Sequence, residues 1–175
     1  AFETDLTNHW KIGNRAMWIQ KIENGWKISA KLEEDFAKEP VMEQNQEKPE
    51  DVAWSTIYSG KKKQIQLLPQ LPDKPLLVRP DQEYTLFPKQ TLKIFITAPV
   101  WIQIKTHSTS EEKVLKEFPC CELSNTWFGE VDSGELAYSA DSPIYEDLSN
   151  IPYGYSHIIC PLKIRNTADI PLDLI

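Results

Sequence analysis

Three carboxylates, Glu130, Asp132 and Glu135, fall within a six-residue span. Two carboxyls held about 5 to 10 Å apart can supply the acid and the base or nucleophile of glycoside hydrolysis, so this span is the first candidate for hydrolytic chemistry. Its surroundings point elsewhere. Trp127-Phe128-Gly129 reads as a buried aromatic anchor at a tight turn, and Asp132-Ser133-Gly134 is ordinary hairpin chemistry. Nucleophilic catalysis lacks its usual frame. There is no Gly-x-Ser-x-Gly elbow, and Cys160 follows His157 by three residues, which on a strand sends the two side chains to opposite faces. The six glycines form neither G-x-G-x-x-G nor a Walker pattern, so nucleotide chemistry is not expected. No Cys-x-x-Cys pair occurs and His9, His107 and His157 are scattered, so neither a metal nor a cofactor is expected.

Six tryptophans raise a second possibility, a carbohydrate-binding β-sandwich with exposed rings as a stacking platform. Trp18 and Trp101 would carry it, with Trp18 and Trp26 on adjacent strands placed to pair across them. Core packing is the simpler account of most of these rings. The basic triplet Lys61-Lys62-Lys63 reads as a solvated hairpin turn, or as a contact for an acidic partner.

The elements that must position these residues are strands. Trp26, Ile28, Ala30 and Leu32 alternate with Lys27, Ser29 and Lys31; Leu92, Ile94 and Ile96 with Lys93, Phe95 and Thr97; Val100, Ile102 and Ile104 with Trp101, Gln103 and Lys105. That period of two is the pattern of half-buried strands. Gly13-Asn14 and Asn24-Gly25 predict hairpin turns that make residues 10–12, 15–22 and 26–32 a meander. Further strands are expected at 54–59, 64–68, 84–87, 114–118, 135–140 and 157–165. Leu76, Leu77 and Val78, set among Pro69, Pro72, Pro75 and Pro80, predict an edge strand. No amphipathic helix longer than about two turns is visible. The expected fold is mostly β, an antiparallel sandwich or barrel with little helix, as one domain or two lobes with a boundary at 68–80. Leu172, Leu174 and Ile175 look like a strand in progress, which predicts a longer natural C-terminus.

The chain has 175 residues and a net charge of −7. Residues 33–51 hold eight acidic against two basic side chains, so −6 of that charge falls in one stretch, read as a solvated, mobile insertion with at most a helical turn near 33–38. The acidic balance argues against nucleic acid and against an anionic membrane surface, although Lys61 to Lys63 form a local exception. No apolar run approaches the roughly 18 residues needed to span a bilayer as a helix. Cys120, Cys121 and Cys160 are odd in number, which favours reduced thiols in a cytosolic protein.

A set of short segments carries a resemblance. Leu71-Pro72-Asp73-Lys74-Pro75 through Arg79-Pro80, Leu86-Phe87-Pro88, Pro99-Val100-Trp101-Ile102, Thr126-Trp127-Phe128-Gly129, Gly134-Glu135-Leu136-x-Tyr138 and Cys160-Pro161-Leu162 through Asn166 are similar to the successive signatures of an uncharacterised prokaryotic family, domain of unknown function four-three-two. The similarity spans about 10 to 174, with the acidic stretch as a variable insert. Ala137 stands where the family pattern has cysteine and Val131 where it has proline, so no thiol role carries over. The resemblance implies a cytoplasmic bacterial or archaeal protein without an established activity, and an accessory role beside a small membrane channel. On the residues, the expected function is a non-enzymatic binding module for a protein partner. Its contact surface would be Arg79, Trp127, Glu130, Glu135 and Tyr138, because arginine and aromatic side chains concentrate binding energy.

Overall fold

The computed structural model describes residues 4–60, 64–107, 112–152 and 154–174. With 64% of its residues in strands and 2% helical, the fold is mostly β. The strands are β1 (Thr7–Ile22), β2 (Gly25–Gln44), β3 (Ser55–Tyr58), β4 (Gln64–Gln70), β5 (Leu76–Pro80), β6 (Tyr84–Leu86), β7 (Thr91–Pro99), β8 (Trp101–His107), β9 (Val114–Pro119), β10 (Ser124–Phe128), β11 (Glu135–Ser142), β12 (His157–Arg165) and β13 (Leu172–Leu174). A single 3-10 turn, Leu148–Asn150, is capped by the Asp147 side chain, which accepts from the Ser149 N–H. Lys61 to Lys63 lie outside the described residues.

Two compact units share the chain and interleave in sequence. The first takes Ala1–Leu71, Val100–Glu122 and Gly154–Ser156; the second takes Pro72–Pro99, Leu123–Tyr153 and His157–Ile175. One break falls inside the 68–80 stretch expected as a boundary, but neither unit is a continuous segment.

In the first unit, antiparallel sheets β1-β2-β3 and β4-β8-β9 contribute to one buried cluster. Met17 and Ile19 of β1 and Trp26 and Ile28 of β2 belong to it with Ile65 of β4 and Ile102 and Ile104 of β8. The alternation read from the sequence is what fills it. Each such side chain contributes about 1.5–3 kcal/mol on leaving water. Gly25 sits where β2 meets β3, and a Cβ there would lie 2.0 Å from the Ile57 carbonyl oxygen. Gly25→Ala must therefore push β3 off β2, and a loss of about 2 kcal/mol is expected by chemical denaturation. An unchanged midpoint would show that the strand gives way freely.

Two expectations about this unit are corrected. Gly13-Asn14 is not a hairpin turn: β1 runs unbroken through it, with Gly13 at φ 60 and register shifts on either side. Nor is 33–51 a loop throughout, because β2 continues to Gln44 and pairs Asn8 with Gln44, His9 with Glu43, Trp10 with Met42 and Lys11 with Val41. The charges up to Glu43 sit on a two-stranded ribbon, and only those from Glu47 to Asp51 lie in irregular chain. Lys11 Nζ lies 2.7 Å from Glu33 and also bonds Asp35, and this contact holds the Asp35 carboxyl below the usual carboxylate range. Pro40 falls in the irregular stretch between the Lys11–Val41 and Gly13–Ala37 pairs, where its missing N–H costs no regular ladder bond.

The second unit holds the sheet β10-β11-β5 and the pairs β12-β7 and β13-β6. β5 is an edge strand as expected, and it runs parallel to β11 beside the antiparallel pairings that make up the rest of the named sheets. Ile94, Ile96, Ala98 and Ala137 are buried here. Polar side chains tie the pieces together. Buried Ser142 at the end of β11 accepts from the Thr97 N–H of β7 at 2.8 Å, and buried Asn166 donates to the carbonyls of Leu86 and Ile170, each at 2.8 Å.

Candidate functional site

The sheet β10-β11-β5 collects all five expected site residues: Arg79 on β5, Trp127 on β10, Glu135 and Tyr138 on β11, and Glu130 in the loop joining β10 to β11. Register decides how they are presented. Trp127 pairs with Leu136, Asn125 with Tyr138, and Phe128 with Glu135, while Tyr138 pairs with Leu76 and Asp141 with Arg79. Side chains of paired residues share a face, and neighbours along a strand alternate. Trp127, Leu136 and Tyr138 consequently occupy one face, whereas Arg79, Phe128 and Glu135 occupy the other. The structure brings the five residues to one sheet and divides them between its sides.

The hairpin is tightly built around its loop. The Trp127 indole N–H donates to the Glu130 carbonyl at 3.0 Å, and that oxygen also accepts the Gly134 N–H at 2.7 Å. A Cβ on Gly134 would lie 2.4 Å from the indole nitrogen and 2.6 Å from the Phe128 carbonyl oxygen, so only glycine fits there. Trp127 is nevertheless 51% exposed, as is Phe128, and Val131 at the loop tip is 88% exposed. The buried aromatic anchor expected for this segment is corrected: the loop holds the indole edge by a hydrogen bond and leaves its ring in water. Two residues along β11 from Leu136, the Tyr138 hydroxyl donates to Asp73 at 2.9 Å and accepts from Lys74, whose ammonium lies 4.6 Å from the ring centroid. Arg79 donates to the Ser139 hydroxyl at 2.7 Å and lies 3.9 Å from Asp141, an exposed pair of little energetic weight.

A family model described as protein of unknown function (DUF432) matches residues 2–174. The chain belongs to this family. No curated protein and no solved structure matches it. The segments Thr126-Trp127-Phe128-Gly129 and Gly134-Glu135-Leu136, on which the resemblance rests, turn out to flank the loop of the β10–β11 hairpin. Ala137 is fully buried on β11.

The other expectations fare unevenly. Glu130, Asp132 and Glu135 are exposed, and none of them lines either of two pockets found in the first unit. One, an open groove of about 580 Å³, is lined by Asn14, Leu32, Glu33, Glu34, Cys121 and Glu122. The other, about 130 Å³, is lined by Ile12, Leu67, Leu68, Pro69, Trp101, Ile102 and Tyr155. Sequence reasoning missed both, because each joins strands remote in sequence. Trp18 is only 4% exposed, its ring tilted against that of His9 at a centroid distance of 5.1 Å, and pairs with Ser29 and not with Trp26. A sugar platform on Trp18 is therefore ruled out by burial. Among the described residues no group of three or more His, Cys, Asp or Glu side chains is placed to hold a metal ion. No helix among them is long and apolar enough to cross a membrane.

Proposed function

We propose that this DUF432 member is a non-enzymatic binding module for a protein partner, and that the β10–β11 hairpin is its contact surface. The supporting observation is the exposure of Trp127, Phe128, Val131 and Leu136 on one hairpin. Large apolar side chains scattered singly need no explanation, but four on one hairpin, Trp127 and Leu136 on one face with Phe128 on the other and Val131 in the loop, beside the exposed carboxylates Glu130, Asp132 and Glu135, match the composition of a contact site. Rigid positioning strengthens the reading, since an aromatic anchor held by a loop carbonyl loses little entropy on binding.

We further infer a sandwich-like arrangement of the two sheets in the first unit, supported by their common buried cluster. A cytoplasmic, prokaryotic setting is supported by the three free cysteines and by the family resemblance. Pull-down from the native host with wild type and variants tests the binding reading. Trp127→Ala should cost about 2 kcal/mol, roughly thirtyfold in partner affinity, as central aromatic anchors do. Arg79→Ala, on the opposite face, should cost much less. Identical partner recovery by wild type and a well-folded Trp127→Ala protein would remove the hairpin from consideration.

A further inference from the structure

The hydrogen-bonding pattern of the hairpin reveals what kind of partner it can take. The Tyr138 N–H donates to the Pro75 carbonyl at 2.8 Å, so Tyr138 directs its backbone groups toward β5. Directions alternate along a strand, which turns the backbone groups of Glu135, Ala137 and Ser139 toward β10. Their partners Phe128, Thr126 and Ser124 face inward in return. Asn125 and Trp127 are left with N–H and C=O groups pointing away from the sheet, on the strand that ends the order β10-β11-β5. No backbone hydrogen bond to another described segment reaches them.

Edge strands of soluble proteins are ordinarily blunted by lysine, proline or an inward charge. β10, Ser124-Asn125-Thr126-Trp127-Phe128, has none of these. Its charge environment is one-sided. From residue 117 to residue 162 the chain contains no lysine or arginine and eight acidic residues, while the cations of this sheet, Lys74 and Arg79, belong to β5 and its approach at the opposite edge. A second copy of the chain would bring another cation-free, acidic hairpin to the same place, so self-pairing is opposed by charge.

Resting on the hairpin reading above, we propose that β10 is a β-augmentation edge. Its occupant is an extended segment of another protein that pairs with Asn125 and Trp127, carries apolar residues at alternate positions, and is flanked by lysine or arginine. Main-chain hydrogen bonds would supply affinity, and Trp127 with its acidic rim would supply selectivity.

The test uses the full chain and a displayed library of random twelve-residue segments as the probe. Enriched segments should be rich in lysine and arginine around alternating apolar residues. Their binding should protect the amides of Asn125 and Trp127 from hydrogen exchange, and should weaken about tenfold or more in Asn125→Pro. That substitution removes an outward donor and leaves the β10–β11 ladder intact. Glu130→Gln with Glu135→Gln should relax the preference for basic flanks. If Trp127→Ala abolishes binding while Asn125→Pro and the amides of wild type show no effect, edge addition is wrong and the hairpin surface stands. If neither variant weakens the selected segments, or none is enriched, both ideas fail. Should Asn125→Pro not fold, unprotected Asn125 and Trp127 amides in saturated wild type overturn the proposal by themselves.

Discussion

Raising the pH from 9 to 12 is expected to remove about 4 kcal/mol of folding stability through a single thiol, at about 1.4 kcal/mol for each unit of displacement. Cys120 is fully buried, and its pKa is pushed from an ordinary 9.0 up to about 12. Burial is the main cause, neighbouring Cys121 adds to it, and Arg15 opposes without prevailing. Below pH 9 both the native and the unfolded chain hold the proton, and the stabilisation is fully present. Between 9 and 12 the unfolded chain releases it and the native one does not, so stability falls steadily until the native thiol also ionises. Denaturant unfolding of wild type and Cys120→Ala across this range isolates the effect from lysine and tyrosine titration. The gap between the two curves should close or invert as pH rises. Parallel curves would show that Cys120 is far less secluded than its surroundings indicate.

Trp26→Ala is expected to cost about 3–5 kcal/mol, the range for deleting a large aromatic side chain from a core. Trp26 is 1% exposed and belongs to the cluster drawn from β1, β2, β4 and β8, so truncation leaves a void bordered by two sheets. Trp127→Ala provides the internal comparison. Its ring is half in water, and its removal should move stability by only about 0.5 kcal/mol. Chemical denaturation of the two variants should therefore give clearly different midpoints. A loss of less than about 1 kcal/mol at Trp26 would mean that the cluster closes over the gap, contrary to the usual rigidity of β cores.

The strands of the second half were legible because one face of each is buried. Leu92, Ile94 and Ile96, and likewise Val100, Ile102 and Ile104, announce their strands by alternation alone. The outer part of β2 was not legible, since both faces of a two-stranded ribbon meet water and its charges mimic an unstructured insert. Lys11 is the partner that makes sense of Glu33 and Asp35, and only register brings it there. The candidate site divides in the same way. Residue types pointed to Trp127, Tyr138 and Arg79, but their faces depend on the parallel pairing of β5 with β11, between segments some sixty residues apart, which no local pattern encodes. Strand β10 itself was hidden by its two adjacent aromatic residues, which break alternation and suggest a turn.

Ser156 has a consequence for the order in which the protein can be made. Its buried residue belongs to the first unit, where its carbonyl accepts the Val100 N–H at 2.9 Å and its Cβ leaves no room for a side chain on Gly13. A ribosome that has finished Leu71 needs on the order of ten seconds to reach Ser156. For that interval the first unit lacks this piece, and until residue 119 it lacks β8 and β9 as well, while most of the second unit emerges. The first unit is therefore closed only after strands β5, β6, β7, β10 and β11 of the second have already been made, so the two units are completed together and not one after the other.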